Sequence, residues 1–462
     1  MNDQPLRGNW AGEAGEIPPS FFVKGNVAVP IDAVGLHLEF SLDIARRRAH
    51  GRGRLRFTLP QPGRPLLDLV PDPTQLVLEG QSLSPERLRL VAPPDETAPL
   101  RMLDEPLAAG VEHELDIRYP LPKDVVGFGD GGVRLGLFMT DLDPRGYLER
   151  YAPANLEFDQ LPMTMEVRVS GSSRAHRLFT NGQVTSCEDA AWQVTFPDYF
   201  TCSSCYLHLT DAPLAVREGT FAGVKSEVPV TIYGEDTDEV ERTLMDASGI
   251  LRELECTYGP YAHEALLVYC TGEIGGGMEY AGATMTQRSV LGNEITHSWF
   301  ARGVMPANGN AGWIDEAIAS WRDQGYPRAE AAPLRPPVQL AGFSPYRRHT
   351  HEDSYCLGSL LLSELDLLFA PGGLLPVLAK LFCERKRRLI TTASFQAYLE
   401  QETGVPLGAV FDRYVYGKAD ADDTHPPGWA MRPGELFRAA GLQVPPSPPP
   451  RSFTAAELRS LL

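Results

Sequence analysis

A glutamate and a histidine three positions apart, followed after eighteen intervening residues by a second glutamate, are the residues of this chain best suited to chemistry. They are Glu294, His297 and Glu316. In the motif H-E-x-x-H, two histidines on one helix face bind Zn²⁺ and the glutamate between them acts as general base. Asn293 stands where the first histidine would be. The pattern predicts metal-assisted hydrolysis, with a substitution at the metal itself.

Two shorter patterns in the same part of the chain could complete such a site. In the run Gly276 to Tyr280, glycines would let the backbone approach a ligand closely, and a glutamate could bind a substrate amine. A tyrosine that opens a later helix could donate a hydrogen bond. These two patterns and the pair Glu294 and His297 also have plainer interpretations. The glycine-rich run could be a strand-to-loop turn, the pair could be an exposed Glu–His pair, and the tyrosine could be a core residue. The candidate catalytic residues are Glu294 and Tyr355, and the candidate substrate-binding residues are Gly276, Gly277, Met278 and Glu279.

Four stretches of the sequence, taken together, match the motif set of one family. Asn293 to Phe300 resembles the H-E-L-x-H-x-W-F of the aminopeptidase N and leukotriene hydrolase family of gluzincin metallopeptidases. Trp313 to Trp321 resembles its W-L-N-E-G-F-A helix at the family's spacing. Gly276 to Tyr280 resembles its G-x-M-E-N motif, and Tyr355 to Gly358 resembles its Y-x-K-G motif. The resemblance spans most of the chain, and Leu148 to Asn155 lies where the family's β domain meets its catalytic domain.

The resemblance implies a role for each of five residues. His297 and Glu316 would be zinc ligands, and Glu294 would activate a water molecule. Glu279 would bind the free amino terminus of a peptide, and Tyr355 would stabilise an oxyanion. These roles are chemically coherent, because zinc lowers the pKa of bound water to about 7 and a nearby carboxylate can take the proton. A phenol hydroxyl can donate to the oxyanion of a tetrahedral intermediate.

Two positions depart from the family pattern. Tyr280 replaces the usual Asn of the amine-binding motif, which is a mild change. Asn293 replaces a zinc-binding His, which is severe, because catalytic zinc takes three protein ligands and water. His349 or His351, just before Tyr355, could supply a replacement ligand. The cofactor prediction is therefore zinc at low occupancy.

Three functions remain open on the sequence. The first is an aminopeptidase-like hydrolase with a weakened or unusual metal site, acting on a peptide or another amine-bearing substrate. The second is a pocket reused without zinc, in which Glu294 and Tyr355 do acid–base chemistry on a small amine-bearing molecule. The third is a pseudoenzyme that only binds peptide or protein. The metal content of the purified protein would discriminate best among them.

Net charge and the lack of targeting segments argue against several classes of partner and location. The chain of 462 residues carries a formal charge of −18, which argues against nucleic acid and anionic membranes as partners. Residues 1–17 lack the features of a signal peptide, and the apolar stretch 357–382 is broken by charges and prolines, so we expect a cytoplasmic location. Seven cysteines give no disulfide framework. Cys202 and Cys205 form a lone C-x-x-C in a strand-like region, as either a redox pair or ordinary thiols.

Hydropathy patterns divide the chain into three parts. Residues 1–215 alternate apolar and polar positions between turn-forming clusters, which predicts a β-rich saddle or sandwich. Residues 216–440 add helical spacing, and the resemblance implies a thermolysin-like, mostly helical catalytic domain. Residues 441–462 read as a proline-rich linker with a short terminal helix. The predicted fold class is α+β.

Overall fold

The chain divides into two compact units. The computed structural model describes residues 18–418, apart from 97, 142–144, 156–159, 189, 226, 273–275, 331 and 333–334. Within these residues, unit 1 comprises 18–214 together with Ser344–Arg348, and unit 2 comprises 215–343 and 349–418. The predicted linker and terminal helix of residues 441–462 lie outside the described part of the chain.

Unit 1 consists of strands, as its alternating sequence predicts. Along β3, for example, Leu36, Leu38, Phe40 and Leu42 are buried on one face, the two-residue period of a strand. The strands in chain order are β1 (Phe21–Val23), β2 (Asn26–Pro30), β3 (Asp32–Asp43), β4 (Arg48–Thr58), β5 (Arg64–Leu67), β6 (Gln75–Leu78), β7 (Gln81–Leu83), β8 (Leu88–Val91), β9 (Leu100–Leu103), β10 (His113–Pro120), β11 (Val126–Phe128), β12 (Val133–Gly136), β13 (Met163–Ser170), β14 (Arg177–Thr180), β15 (Gln183–Glu188), β16 (Ala191–Phe196) and β17 (Leu207–Thr210).

Three sheets use these strands. An eight-stranded sheet has the order β15-β16-β13-β3-β4-β10-β6-β7. A five-stranded sheet has the order β1-β2-β5-β9-β8, and a four-stranded sheet has the order β11-β12-β17-β14. The β-rich N-terminal part of the predicted α+β fold is confirmed.

Unit 2 combines a mixed sheet with helices. Its five-stranded sheet has the order β18-β19-β20-β22-β21, in which β19, β20 and β22 are parallel and β21 is an antiparallel edge. The strands are β18 (Ala215–Ala222), β19 (Glu227–Gly234), β20 (Leu266–Cys270), β21 (Gly277–Tyr280), β22 (Ala283–Thr286), β23 (Val304–Pro306) and β24 (Arg388–Ile390). The helices are α1 (Thr237–Tyr258), α2 (Leu291–Thr296), α3 (Trp313–Asp323), α4 (Ser359–Leu368), α5 (Leu375–Arg385), α6 (Thr392–Thr403) and α7 (Gly408–Tyr414).

Helix α1 shows how local sequence fixes the helices of unit 2. Asp236 caps its N-terminus by accepting hydrogen bonds from the backbone N–H groups of Asp238 and Glu239. Its apolar face, which includes Val240 and Leu251, is buried in the core of the unit. This helix is one source of the helical spacing within residues 216–440. Helix α2 packs against α1, α3 and β21. It therefore lies between the sheet edge and α3.

Two further sequence predictions can be assessed. Cys202 and Cys205 lie in a turn that precedes β17 rather than in a strand, and both side chains are buried. Neither forms a disulfide, and burial raises the pKa of Cys205, so this pair is poorly suited to redox exchange. Among residues 18–418 as described, no helix is both long and apolar enough to span a membrane.

Candidate functional site

The edge strand β21 brings one predicted substrate-binding residue against one predicted catalytic residue. A Cβ atom on Gly277 would lie 2.4 Å from Cδ of Glu294, so the carboxylate on α2 occupies the space that a larger residue at 277 would need. This close approach is the physical reason for glycine at that position. Met278 and Glu279 follow in β21 and are both buried. Gly276 precedes the strand with φ +89°, a backbone conformation that favours glycine.

His297 lies immediately beyond α2, at its C-cap, with two carboxylates nearby. Its Nδ1 is 3.2 Å from the carbonyl oxygen of Phe300 and 3.5 Å from Oδ2 of Asp315. Its Nε2 is 3.6 Å from Oε2 of Glu316. A carbonyl oxygen can only accept, so the contact with Phe300 favours the tautomer that carries the proton on Nδ1. The lone pair of Nε2 then faces Glu316.

Helix α3 and the turn before α4 bring Tyr355 to Glu316. The Tyr355 hydroxyl donates to Oε1 of Glu316 over 3.0 Å. This one-turn π-helix, Ser354–Gly358, packs closely on α3, since a Cβ atom on Gly358 would lie 2.8 Å from Cβ of Ala317. Packing explains the spacing Tyr355-x-x-Gly358. Because residue 358 has no side chain, the segment can lie close to α3, and this places Tyr355 beside Glu316.

Asn293 does not join this group. Its Nδ2 donates to Oδ2 of Asp323 over 2.9 Å at a partly exposed position. Asp323 lies seven residues after Glu316, or about 10 Å further along α3. His351, one of the two proposed replacement ligands, stacks on the Phe343 ring with centroids 5.5 Å apart, and its Nδ1 accepts from the Asp353 backbone N–H.

Two charged residues of the site, Arg302 and Asp315, are not among those predicted from the sequence. Arg302 donates from Nη2 to Oε1 of Glu279 over 2.9 Å, and both side chains are buried. Asp315 approaches Nδ1 of His297 and is also buried. The sequence gives one sign of each residue: Arg302 interrupts the apolar run Trp299 to Met305, and Asp315 directly precedes Glu316. Neither sign identifies the residue with which it pairs.

The cluster is rich in buried negative charge. Glu279, Glu294, Asp315 and Glu316 are each less than a tenth exposed, and the Arg302 guanidinium pairs with the first of them. Burial raises the pKa of Glu279, and the Arg302 guanidinium opposes that rise. Buried carboxylates need protons, hydrogen bonds or cations to compensate them.

The donor types in the cluster suit a divalent cation. Glu279, His297 and Asp315 each offer one donor atom, all within 4.8 Å of one another. Arg302 already binds Glu279 there, and Nδ1 of His297 faces a carbonyl. On the Nε2 side, two of the three expected ligands, His297 and Glu316, face each other. The third expected ligand position holds Asn293, whose side chain contacts Asp323 instead.

The fold with this cluster in its second unit is that of the M1 zinc metallopeptidases. An M1 zinc metallopeptidase from Deinococcus radiodurans matches 91% of this chain and 97% of its own, with a TM-score of 0.57 and 19% identity. A variant of that protein bound to a Tyr-Ser-Ala substrate matches with a TM-score of 0.56 and 18% identity, over 91% and 97% of the two chains. Aminopeptidase A of Legionella pneumophila, in complex with aspartic acid, matches 84% of this chain and 50% of its own, with a TM-score of 0.64 and 12% identity. No family model and no curated relative matches the sequence.

Proposed function

We propose that this chain is an aminopeptidase-like hydrolase with a weakened metal site. The observation that carries the proposal is the cluster of buried Glu279, Glu294, His297 and Glu316, to which the half-buried Tyr355 donates a hydrogen bond at Glu316. Structural neighbours with the same fold bind L-arginine, L-tryptophan and a tripeptide. They support a substrate of amino-acid or short-peptide type.

Glu294 and Tyr355 are the reactive residues of this proposal. The Glu294 carboxylate takes a proton from a water molecule as that water attacks a carbonyl carbon. It then gives this proton to the departing alcohol or amine as the carbonyl carbon's bond to that group breaks. The Tyr355 hydroxyl, which donates to Glu316 in this structure, turns its proton to the carbonyl oxygen as negative charge develops there. General acid–base catalysis alone contributes roughly 10²–10⁴-fold. An activated ester or amide is therefore a better target than an unactivated peptide bond.

A second function is favoured by two contacts. Asn293 is directed to Asp323, and Glu279 is already paired with Arg302. Both contacts take the site away from the zinc peptidase pattern. They support a pocket reused without zinc for acid–base chemistry, on a substrate that resembles the end of a peptide.

The test is a screen of aminoacyl esters, amides and short peptides, with added zinc and with chelator. We expect Glu294→Gln and Tyr355→Phe each to lower turnover by roughly 10²-fold or more. Tyr398→Phe is the matched control, because Tyr398 also donates to a glutamate in unit 2, Glu384, over 2.9 Å. It should leave turnover unchanged.

The pattern of loss separates the candidates. Turnover that needs zinc and is abolished by chelator supports the aminopeptidase-like hydrolase. Turnover that resists chelator and is lost in both variants supports the reused pocket. If substrates bind but none is converted, and the two variants alter affinity only, the chain is a pseudoenzyme and the proposal is wrong.

A further inference from the structure

The buried ion pair between Glu279 and Arg302 changes what the pocket can recognise. Arg302 Nη2 donates to Glu279 Oε1 over 2.9 Å, with 3% and 6% of the two side chains exposed. The Arg302 backbone N–H donates to the carbonyl oxygen of His297 over 2.9 Å, and Nη1 lies 3.3 Å from the Ala301 carbonyl oxygen. The guanidinium is therefore held in place by its own backbone segment.

A carboxylate that binds a free ammonium must offer uncompensated negative charge. Glu279 does not, because a fixed guanidinium already supplies the opposite charge inside the protein. An ammonium at the same carboxylate would stand beside Arg302, where like charges repel strongly at low dielectric. It would also have to leave its water without gaining an unshared counter-ion.

The neighbouring acids do not restore a free anionic position at Glu279. Asp315 lies 3.5 Å from Nδ1 of His297, and Glu316 accepts from Tyr355. The carboxylate of Glu294 packs over Gly277, on the preceding part of the same strand. Asp315 and Glu316 thus have contacts of their own, and the ion pair of Arg302 is with Glu279.

We propose that Arg302 makes this pocket select substrates whose terminal nitrogen carries no charge, such as N-acylated amino-acid derivatives or N-acylated short peptides. The proposal rests on the proposed function, because it takes the cluster to be the substrate pocket of a peptide-like hydrolase. Arg302 is here a specificity-determining residue. It acts through Glu279, by cancelling the charge that would otherwise attract an ammonium.

The test measures binding rather than turnover. Isothermal titration compares amino-acid amides with their N-acetyl counterparts, over several side chains, on the full-length protein. We expect the wild type to bind the N-acetyl form at least about 10-fold more tightly, which corresponds to about 1.4 kcal/mol. Arg302→Gln should reverse this preference, because it frees the charge of Glu279. Arg302→Lys keeps a cation there and should keep the wild-type preference.

A matched control is available in the same unit. Arg335 pairs with the buried Glu364, with Nε 3.0 Å from Oε1. Arg335→Gln thus removes a comparable pair away from the cluster, and should not change the preference between free and acetylated ligands. Thermal unfolding of each variant verifies that it is folded, and the wild-type comparison stands even if a variant does not fold.

Three results would overturn the inference. They are a wild type that prefers the free amine, an Arg302→Gln variant that is folded but gains no preference for it, and no binding of either ligand class. Failure of the proposed function looks different. In that case the wild type binds the N-acetyl ligands as expected but hydrolyses no ester or amide derived from them.

Discussion

Each unit of this protein buries a cluster of charges, but the two clusters are balanced differently. In unit 1, Asp68 and Glu149 face Arg145 and Arg348. Arg145 lies 3.2 Å from Glu149, and Arg348 pairs with Asp68 and lies 3.7 Å from Glu149. Burial lowers the pKa of Arg348 to about 9, so this guanidinium is still protonated at neutral pH. Two acids meet two cations, so the formal charges of this cluster balance.

The cluster of unit 2 has more acids than permanent cations. Four carboxyl groups are buried in this cluster, two of them in contact with His297, and the Arg302 guanidinium pairs with Glu279. Such an excess of buried negative charge is stable only where protons, substrate dipoles or a cation can compensate it. The comparison teaches that a buried charge cluster is structural when its signs match and a candidate for chemistry when they do not.

The largest expected effect breaks the balanced cluster. Arg348→Met should destabilise unit 1 by about 3–5 kcal/mol, because it leaves two buried carboxylates with one guanidinium. Hydrogen exchange in β3 and β4 measures the change locally. Arg56→Met is the control, since Arg56 and Glu112 form a pair with both side chains 48% exposed, and should cost less than about 1 kcal/mol. Equal effects would mean that burial does not strengthen the unit 1 cluster.

The next effect disturbs the unbalanced cluster without altering its charge. Gly277→Ala places a methyl group where the Glu294 carboxylate lies, so that carboxylate must move. A displacement of about 1 Å at a catalytic group can lower kcat by about 100-fold. Gly249→Ala in α1, where a Cβ atom meets nothing within 4 Å, is the control. Unchanged kcat in Gly277→Ala would show that Glu294 is not catalytic.

A new ligand should sharpen the contrast between the clusters. Asn293→His adds an imidazole four residues before His297, and we expect zinc affinity to rise by at least about 10-fold, similar to the effect of supporting residues at metal sites. Competition with a chromogenic chelator measures the affinity. The gain should vanish in the double variant with His297→Ala. If Asn293→His alone gives no gain, this cluster does not have the geometry of the zinc site.

The smallest expected effect concerns neutral histidines buried in both units. Burial lowers the pKa of His208 in unit 1 to about 4 and that of His263 in unit 2 to about 3, from an ordinary 6.5. Below pH 6.5 the unfolded chain therefore binds more protons than the folded chain. The free energy of unfolding then decreases as the pH is lowered. Between pH 7 and 5.5 each histidine should cost about 1 kcal/mol.

The variant His263→Asn tests the assignment of that pH dependence. The variant lacks one titrating group. Between pH 7 and 5.5 its free energy of unfolding should therefore decrease by about 1 kcal/mol less than that of the wild type. Urea unfolding at both pH values gives the comparison. If the variant and the wild type lose the same amount, protonation of His263 does not contribute.

The parts of the site that could be predicted from sequence are those fixed by local spacing. The positions of Glu294 and His297 follow from one helical segment, and the approach of Tyr355 to α3 follows from the glycine at 358. The strands of unit 1 follow from alternation. Arg302 and Asp315 could not be assigned, because their partners depend on how β21, α2 and α3 pack, and no local pattern encodes that packing.

The segment Ser344–Arg348 has a consequence for the order in which the protein forms. It belongs to unit 1, yet it is encoded after residue 343 of unit 2. During synthesis the ribosome must add about 130 further residues after unit 1 reaches residue 214, which takes roughly 6–26 s at about 5–20 residues per second. Throughout that time Asp68 and Glu149 lack Arg348, and the side chain of Phe21 lacks the Tyr346 ring on which it packs. The N-terminal unit thus cannot be completed until most of the unit that follows it has been made.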